Sequence, residues 1–283
     1  MLWRDGRVRE GTTAPFDHAD RGLTLGDGVF DTALALDGRV AFEAAHVARL
    51  AASAQALGIP ADPKGIAGAM RALAERGERL AIRTTLTRGP GPRGLRPPDD
   101  PRPTLFATAA PSGRAIAFAP LRLLPTGIAR NETSPTARHK TLGYLDAVLA
   151  AREAAAEGFD EALFLNVRGA VVCAGTGNLF AVFGAALATP PLADGVLPGI
   201  VRAQVLRIAP ACGLAPEERS MTVDELCTAQ AVFVTNSLRL LAPVTAVGGQ
   251  GFAGREHPAV ERLTRALRAA VAKSCGVGEE RVA

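Results

Sequence analysis

Arg138-His-Lys-Thr-Leu-Gly-Tyr-Leu-Asp146 is the stretch from which the rest of the chain is read. It follows a loop rich in Pro, Asn and Thr and leads into an alanine-rich segment, so Lys140 stands at the start of a helix predicted over about 142–157. A cation at the positive end of a helix dipole is mildly unfavourable. The choice stands out further because this chain uses arginine almost everywhere: of 32 basic residues only Lys64, Lys140 and Lys273 are lysines. A guanidinium stays protonated, whereas a lysine amine can condense with an aldehyde. Lys140 is therefore the first candidate for chemistry, set against the plain reading of a solvated lysine at a helix start.

The 283 residues, 48% hydrophobic and 21% charged, provide for one large domain or two medium ones. The formal charge of +4 comes from basic residues scattered in ones and twos, which argues against a nucleic-acid arm. Cys173, Cys212, Cys227 and Cys275 are widely spaced, with no C-x-x-C and no His at ligand spacing, so neither a metal site nor a disulfide framework is expected. That usage fits a reducing, cytoplasmic compartment. The opening MLWRDGRVREGTT meets charges at once, and no secretory signal is expected. The uncharged run 169–193 is interrupted by Gly-Thr-Gly-Asn and Pro-Pro; it reads as two buried strands and a turn, with no membrane partner implied.

Val47, Leu50, Ala51 and Ala54 recur at helical spacing over 42–56, and a second helix is predicted over 64–76. Strands are predicted at 80–87 and 104–108, followed by the breaker-rich Ala110-Pro-Ser-Gly-Arg114 as a linker. Beyond it come a strand at 115–120, the helix after Lys140, and short strands at 162–165, 170–173 and 179–183 in the manner of an antiparallel meander. A helix follows Pro198, Thr222-x-x-Glu225 reads as a capping box, 231–235 as a buried strand, and 258–273 as the last helix. The result is two α/β lobes joined near residue 112, an arrangement that tends to bind small molecules between the lobes.

Several motifs in this order resemble one family. They are Asp20-Arg-Gly-Leu, Gly26-Asp-Gly-Val-Phe-Asp-Thr32, Asp37-Gly, His46-x-x-Arg49-Leu50, Arg88-Gly-x-Gly-x-Arg93-Gly and Lys140-Thr-Leu-Gly-Tyr-Leu. Gly169-x-Val-x-Cys-x-x-x-x-Asn178-Leu-Phe180, Leu197-Pro-Gly-Ile-Val-Arg202 and Thr235-Asn-Ser…Pro243-Val complete the set. On these residues the chain is similar to the class IV (fold type IV) pyridoxal-phosphate enzymes, which include branched-chain and D-amino-acid aminotransferases and 4-amino-4-deoxychorismate lyase. The resemblance implies a small N-terminal α/β lobe over 1–110 and a larger C-terminal lobe over 115–283. The larger lobe would hold a barrel-like sheet and carry the Schiff-base lysine, with the cofactor between the lobes. It also implies a homodimer acting on an amino acid and a keto acid.

Carried over by position, Lys140 resembles the lysine that binds the cofactor as an aldimine and shuttles the proton at the substrate α-carbon. Arg49 resembles the phosphate-binding arginine. Gly199, Ile200 and Val201 resemble the loop whose amides hold the same phosphate, with Val201 where Thr is common, and Asn236 with Ser237 match a second phosphate-side position. Thr32 and Arg93 fall where substrate-facing groups stand. Asp31 replaces a usual Glu, and Gly143 a common Asn.

The larger departure is Cys173, which stands where the family places the glutamate that pairs with the pyridine nitrogen. A carboxylate keeps that nitrogen protonated and the ring electron-accepting, which a neutral thiol does poorly. Either Glu161 reaches the nitrogen, or the ring works unprotonated, or catalysis is partly lost. Three functional readings follow: a pyridoxal-phosphate aminotransferase first, 4-amino-4-deoxychorismate lyase second, and a cofactor-binding protein with lost or altered catalysis third.

Overall fold

The structure is a computed structural model describing residues 1–283. It divides into two compact units. One gathers Met1–Gly113, His139–Gly143 and Val271–Val282; the other gathers Arg114–Arg138, Tyr144–Ala270 and Ala283.

The first unit opens with β1 (Leu2–Arg4), β2 (Arg7–Arg9), the short α1 (Arg21–Leu25), β3 (Gly28–Leu36) and β4 (Arg39–Val40). Next come α2 (Glu43–Ala56), α3 (Pro63–Ala74), β5 (Arg79–Thr87) and β6 (Thr104–Pro111). The six strands form one antiparallel sheet in the order β2-β1-β6-β5-β3-β4. Asp62 accepts from the amides of Lys64 and Gly65 and Pro63 occupies the first turn, so α3 starts where a cap and a pre-set φ coincide. Val29, Ala33, Ala35 and Ile82 from the sheet meet Leu50, Ile66, Met70 and Leu73 from the two helices in a single core.

β3, next to the edge of the sheet, lacks the alternation that marks a strand. Both of its faces are buried, so Gly-Val-Phe-Asp-Thr-Ala-Leu-Ala-Leu reads as a nearly continuous apolar run. β4 covers only Ala35 and Leu36 on one edge of it. The remaining edge is taken by the lysine segment: the Phe30 amide donates to the Lys140 carbonyl (2.9 Å), the Leu142 amide donates to the Gly28 carbonyl (3.1 Å), and Thr141 bridges Val29. Lys140, expected in the second lobe, therefore belongs to the first unit. Since Thr141 and Leu142 are committed to a strand edge, the following helix begins at Leu145 rather than 142. The C-terminal stretch departs from its expected lobe as well: Val282 is buried, and the Arg79 guanidinium donates to its carbonyl at 2.7 Å.

The second unit contains β7 (Leu121–Pro125), α4 (Leu145–Ala156), β8 (Glu161–Leu165), β9 (Val171–Ala174), β10 (Asn178–Phe183) and β11 (Ala186–Thr189). Then follow α5 (Ile200–Ile208), β12 (Ala215–Glu218), α6 (Val223–Cys227), β13 (Ala231–Asn236), β14 (Leu240–Val247), β15 (Gln250–Gly251) and α7 (Pro258–Cys275). Strands run β10-β13-β14-β7-β8-β9, and β9 pairs back onto β10, so six strands close into a barrel. Its interior is filled by Leu121, Leu123, Leu163, Leu179, Val232 and Val234, as a barrel this narrow requires.

The expected strand at 115–120 is instead a single 3₁₀ turn, and the strand comes at Leu121. Phe118 takes a left-handed backbone (φ 58°) and Pro120 has no amide to donate, which together prevent an earlier ladder. The meander from β8 to β11 forms, with three strands rather than two in 169–193. Thr222 caps α6 by accepting from the Glu225 amide. No helix is long and apolar enough to cross a membrane.

Gly28 has no room for a side chain, because a Cβ there would lie 2.9 Å from the Leu86 carbonyl oxygen and 2.8 Å from Leu142 Cδ1. Gly28→Ala should cost about 1–3 kcal/mol of stability through overpacking, read as a lower urea midpoint with unchanged slope.

Candidate active site

The pleat of β3 sends successive residues to opposite faces. Asp31 points to the helix-covered side, where it is wholly buried. His46 Nδ1 meets its Oδ1 at 2.6 Å, while Arg49 Nε and Nη2 both reach its Oδ2 at 2.8 Å. His46 and Arg49 stand three apart on α2, so one helix face brings both to one carboxylate. Burial alone would raise the Asp31 carboxyl, but the charge and hydrogen bonds of His46 and Arg49 hold it below the ordinary aspartate range. The Arg49 guanidinium is thereby fixed in orientation.

Phe30 and Thr32 point to the other face. Lys140 Nζ lies 4.4 Å from the Phe30 ring centroid and Arg83 Cζ 3.4 Å from the same centroid. Two cations on one aromatic ring make a fixed positive surface. Thr32 pairs directly with Arg83 across β3 and β5, so Thr32, Phe30, Arg83 and Lys140 share this face. His139 Nδ1 approaches Ser53 Oγ at 3.3 Å and ties the lysine segment to α2. Arg93 stands exposed on the loop after β5. That loop is held by Arg21, whose guanidinium donates to the carbonyls of Gly94 and Leu95, each at 2.9 Å. Arg21 and Arg88 both donate to Asp27 Oδ2 at 2.8 Å.

In the second unit, Cys173, Asn178 and Thr235 stand directly opposite one another on neighbouring strands, a polar row on the outer face of the barrel wall. Cys173 is half-buried and packs against the cluster of Phe164 and the alanines of α4. Asn178 Nδ2 donates to the Leu197 carbonyl at 2.9 Å, and a Cβ on Gly199 would lie 1.9 Å from Asn178 Oδ1, so the chain can pass there only as glycine. Gly199 is the N-cap of α5 and supplies no side-chain bond to the first amides of the helix, those of Ile200 and Val201. A helix N-terminus in that state favours an anion. Thr235 Oγ1 is buried without a partner.

Asn236 Nδ2 donates to Thr176 Oγ1 at 3.2 Å, and its Oδ1 accepts from the amides of Leu238 (3.0 Å) and Arg239 (2.7 Å). These bonds shape the turn that carries Ser237. Glu161 alternates with the interior residues Leu163 and Leu165 and has Thr176 as partner: the Thr176 amide donates to its Oε1 at 2.9 Å, and the Thr176 hydroxyl donates to the same oxygen. Burial pushes the Glu161 carboxyl up, against the Thr176 bonds and the charge of Arg239. Glu161 and Cys173 therefore sit on opposite faces of the wall, and Glu161 does not stand in for the missing glutamate at Cys173.

In the first unit the amine on the edge of β3 suits an aldehyde; in the second, taken by itself, the uncapped start of α5 beside Asn178 suits a phosphate. Cys173 brings a thiol and no carboxylate to the outer row. No group of three His, Cys, Asp or Glu side chains could hold a metal ion. Arg83 and Thr176 are not named positions of any motif and are visible only once the strands are paired. Thr235 opens a motif, but its partnerless hydroxyl shows only in the structure; the spacing of His46 and Arg49 was the one local signal for the Asp31 cluster.

The sequence profile of "amino-transferase class IV" matches residues 28–247. A putative branched-chain-amino-acid aminotransferase of Methanocaldococcus jannaschii is 33% identical over 275 residues, covering 94% of this chain and 93% of its own. The crystal structure of a branched-chain aminotransferase from Thermoproteus uzoniensis superposes with a TM-score of 0.88 at 27% identity, over 99% of this chain and 96% of its own. A putative 4-amino-4-deoxychorismate lyase from Legionella pneumophila superposes with a TM-score of 0.83 at 29% identity, over 93% of this chain and 98% of its own.

Asp31→Asn leaves His46 and Arg49 without their shared anion and should cost about 3–5 kcal/mol at neutral pH. A depressed carboxylate contributes stability that is present above the unfolded pKa of about 3.9 and lost as pH falls through the folded value. Urea midpoints should therefore differ fully above about pH 5 and converge in acid.

Proposed function

The chain belongs to the class IV aminotransferases, and on that premise we propose that Lys140 is the amine that binds the cofactor and moves the proton at the substrate α-carbon. The enzyme is a pyridoxal-phosphate aminotransferase, transferring an amino group between an amino acid and a keto acid. Bound pyridoxal phosphate supplies the electron-accepting ring that makes that α-proton removable.

The observation that carries the assignment is the backbone pairing of the lysine segment with β3, which holds Lys140 against Phe30. Arg49, oriented by Asp31, takes part of the phosphate charge as a fixed guanidinium fork. The amides of Gly199, Ile200 and Val201 and the turn at Asn236 and Ser237 take the rest. Thr32 and Arg93 face the substrate. Cys173 stands at the ring nitrogen, where a thiol with an ordinary pKa of about 8.5 cannot keep that nitrogen protonated as a carboxylate does.

Elimination of pyruvate from 4-amino-4-deoxychorismate to give p-aminobenzoate is the second reading, favoured by Thr235-Asn-Ser…Pro243-Val and by the likeness to the Legionella lyase. We further propose a cytoplasmic homodimer. All four cysteines are free thiols, as a reducing compartment keeps them. On α4, Leu145 is 70% and Val148 59% exposed, an apolar stripe that a second copy would cover.

The purified protein given pyridoxal phosphate should develop the visible absorption band of a lysine-linked cofactor, and Lys140→Ala should show none. A band that persists in Lys140→Ala would overturn the assignment. Amino transfer should depend strictly on a keto acid; pyruvate released from aminodeoxychorismate without an acceptor would favour the lyase. Cys173→Glu should raise turnover with an amino donor, measured as kcat at saturating acceptor. A fall in kcat with cofactor still bound would show a site tuned around the thiol.

A further inference from the structure

Glu161 is buried inside the barrel wall, and its second oxygen, Oε2, has no hydrogen-bond partner. An apolar side chain would fill that place without the cost of burying a carboxyl. What the carboxyl does have is a directed chain of bonds. Thr176 spends its one hydroxyl proton on Glu161 Oε1, so its oxygen is left to accept from Asn236 Nδ2. With its amide nitrogen committed there, Asn236 must turn Oδ1 towards the amides of Leu238 and Arg239. The carboxyl thus sets which way the Asn236 amide faces, and through it the shape of the turn containing Ser237.

We propose that Glu161 is a positioning residue that acts through Thr176 and Asn236 to hold the Asn236–Ser237 turn in its anion-binding form. The proposal rests on the reading that this turn holds the cofactor phosphate. It assigns Glu161 a task separate from the ring nitrogen.

The test is titration of the apoenzyme with pyridoxal phosphate, with inorganic phosphate as competitor, together with hydrogen exchange at the amides of Leu238 and Arg239. Thr176→Val and Glu161→Leu cut the relay, whereas Thr176→Ser and Glu161→Gln keep its hydroxyl and its acceptor oxygen. The first pair should raise Kd for pyridoxal phosphate roughly tenfold, weaken phosphate competition to a similar degree and speed exchange at both amides. The second pair should restore all three. Wild-type affinity in Thr176→Val, or a Thr176→Ser variant as impaired as Thr176→Val, overturns the relay. A wild-type protein that binds no pyridoxal phosphate refutes the functional reading instead. The relay then stands or falls on the exchange rates and phosphate affinity: acceleration in Thr176→Val reversed in Thr176→Ser supports it, and unchanged exchange overturns it.

Discussion

The backbone pairing between Lys140–Leu142 and the open edge of β3 is the contact on which the proposed chemistry depends. An unpaired strand edge leaves amides and carbonyls that must find partners. β4 is too short to supply them along Gly28–Phe30, and the lysine segment does. A reactive side chain on a free loop would sample many positions; here its main chain is part of a sheet and its ammonium rests on an aromatic ring. The same pairing explains why the lysine leaves the unit to which most of its sequence neighbours belong, and why α4 starts only after the pairing ends.

One strand then serves two tasks through its period of two. Phe30 and Thr32 face the lysine side, and Asp31 between them faces α2 and fixes Arg49. A slip of one residue would exchange the faces, placing a carboxylate beside the amine and an aromatic ring beside the arginine. The burial of both faces, which conceals β3 in the sequence, is what specifies its register so firmly.

The barrel wall divides its residues in the same way. Its inner phase is apolar apart from Glu161, a carboxyl pushed towards its neutral form by burial, and Asn236 at the end of β13. Its outer phase carries Cys173, Asn178 and Thr235 in a row that leads to the start of α5. Electrostatically the region is defined by donors, namely helix amides, a serine turn and an asparagine amide, with no acid on the outer row. Glu161 and Cys173 lie on opposite faces of this wall, and no side chain reaches through it to the other face.

Much of this was legible beforehand. The scarcity of lysine singled out Lys140, and the resemblance carried by the ordered motifs added Arg49, the Gly199 loop and Cys173 as candidates. The helices predicted over 42–56 and 64–76 from apolar spacing form at Glu43–Ala56 and Pro63–Ala74. β3 and β14 were not predicted: the first is apolar throughout, and the second has Pro243 in a ladder position where proline normally argues against a strand. The bond from Asp31 to Arg49, the two cations on Phe30, the relay from Glu161 to Asn236 and the unit to which Lys140 belongs join residues distant in sequence. Those were decided by strand pairing and register alone, because a hydrogen bond between distant segments leaves no periodicity in either of them.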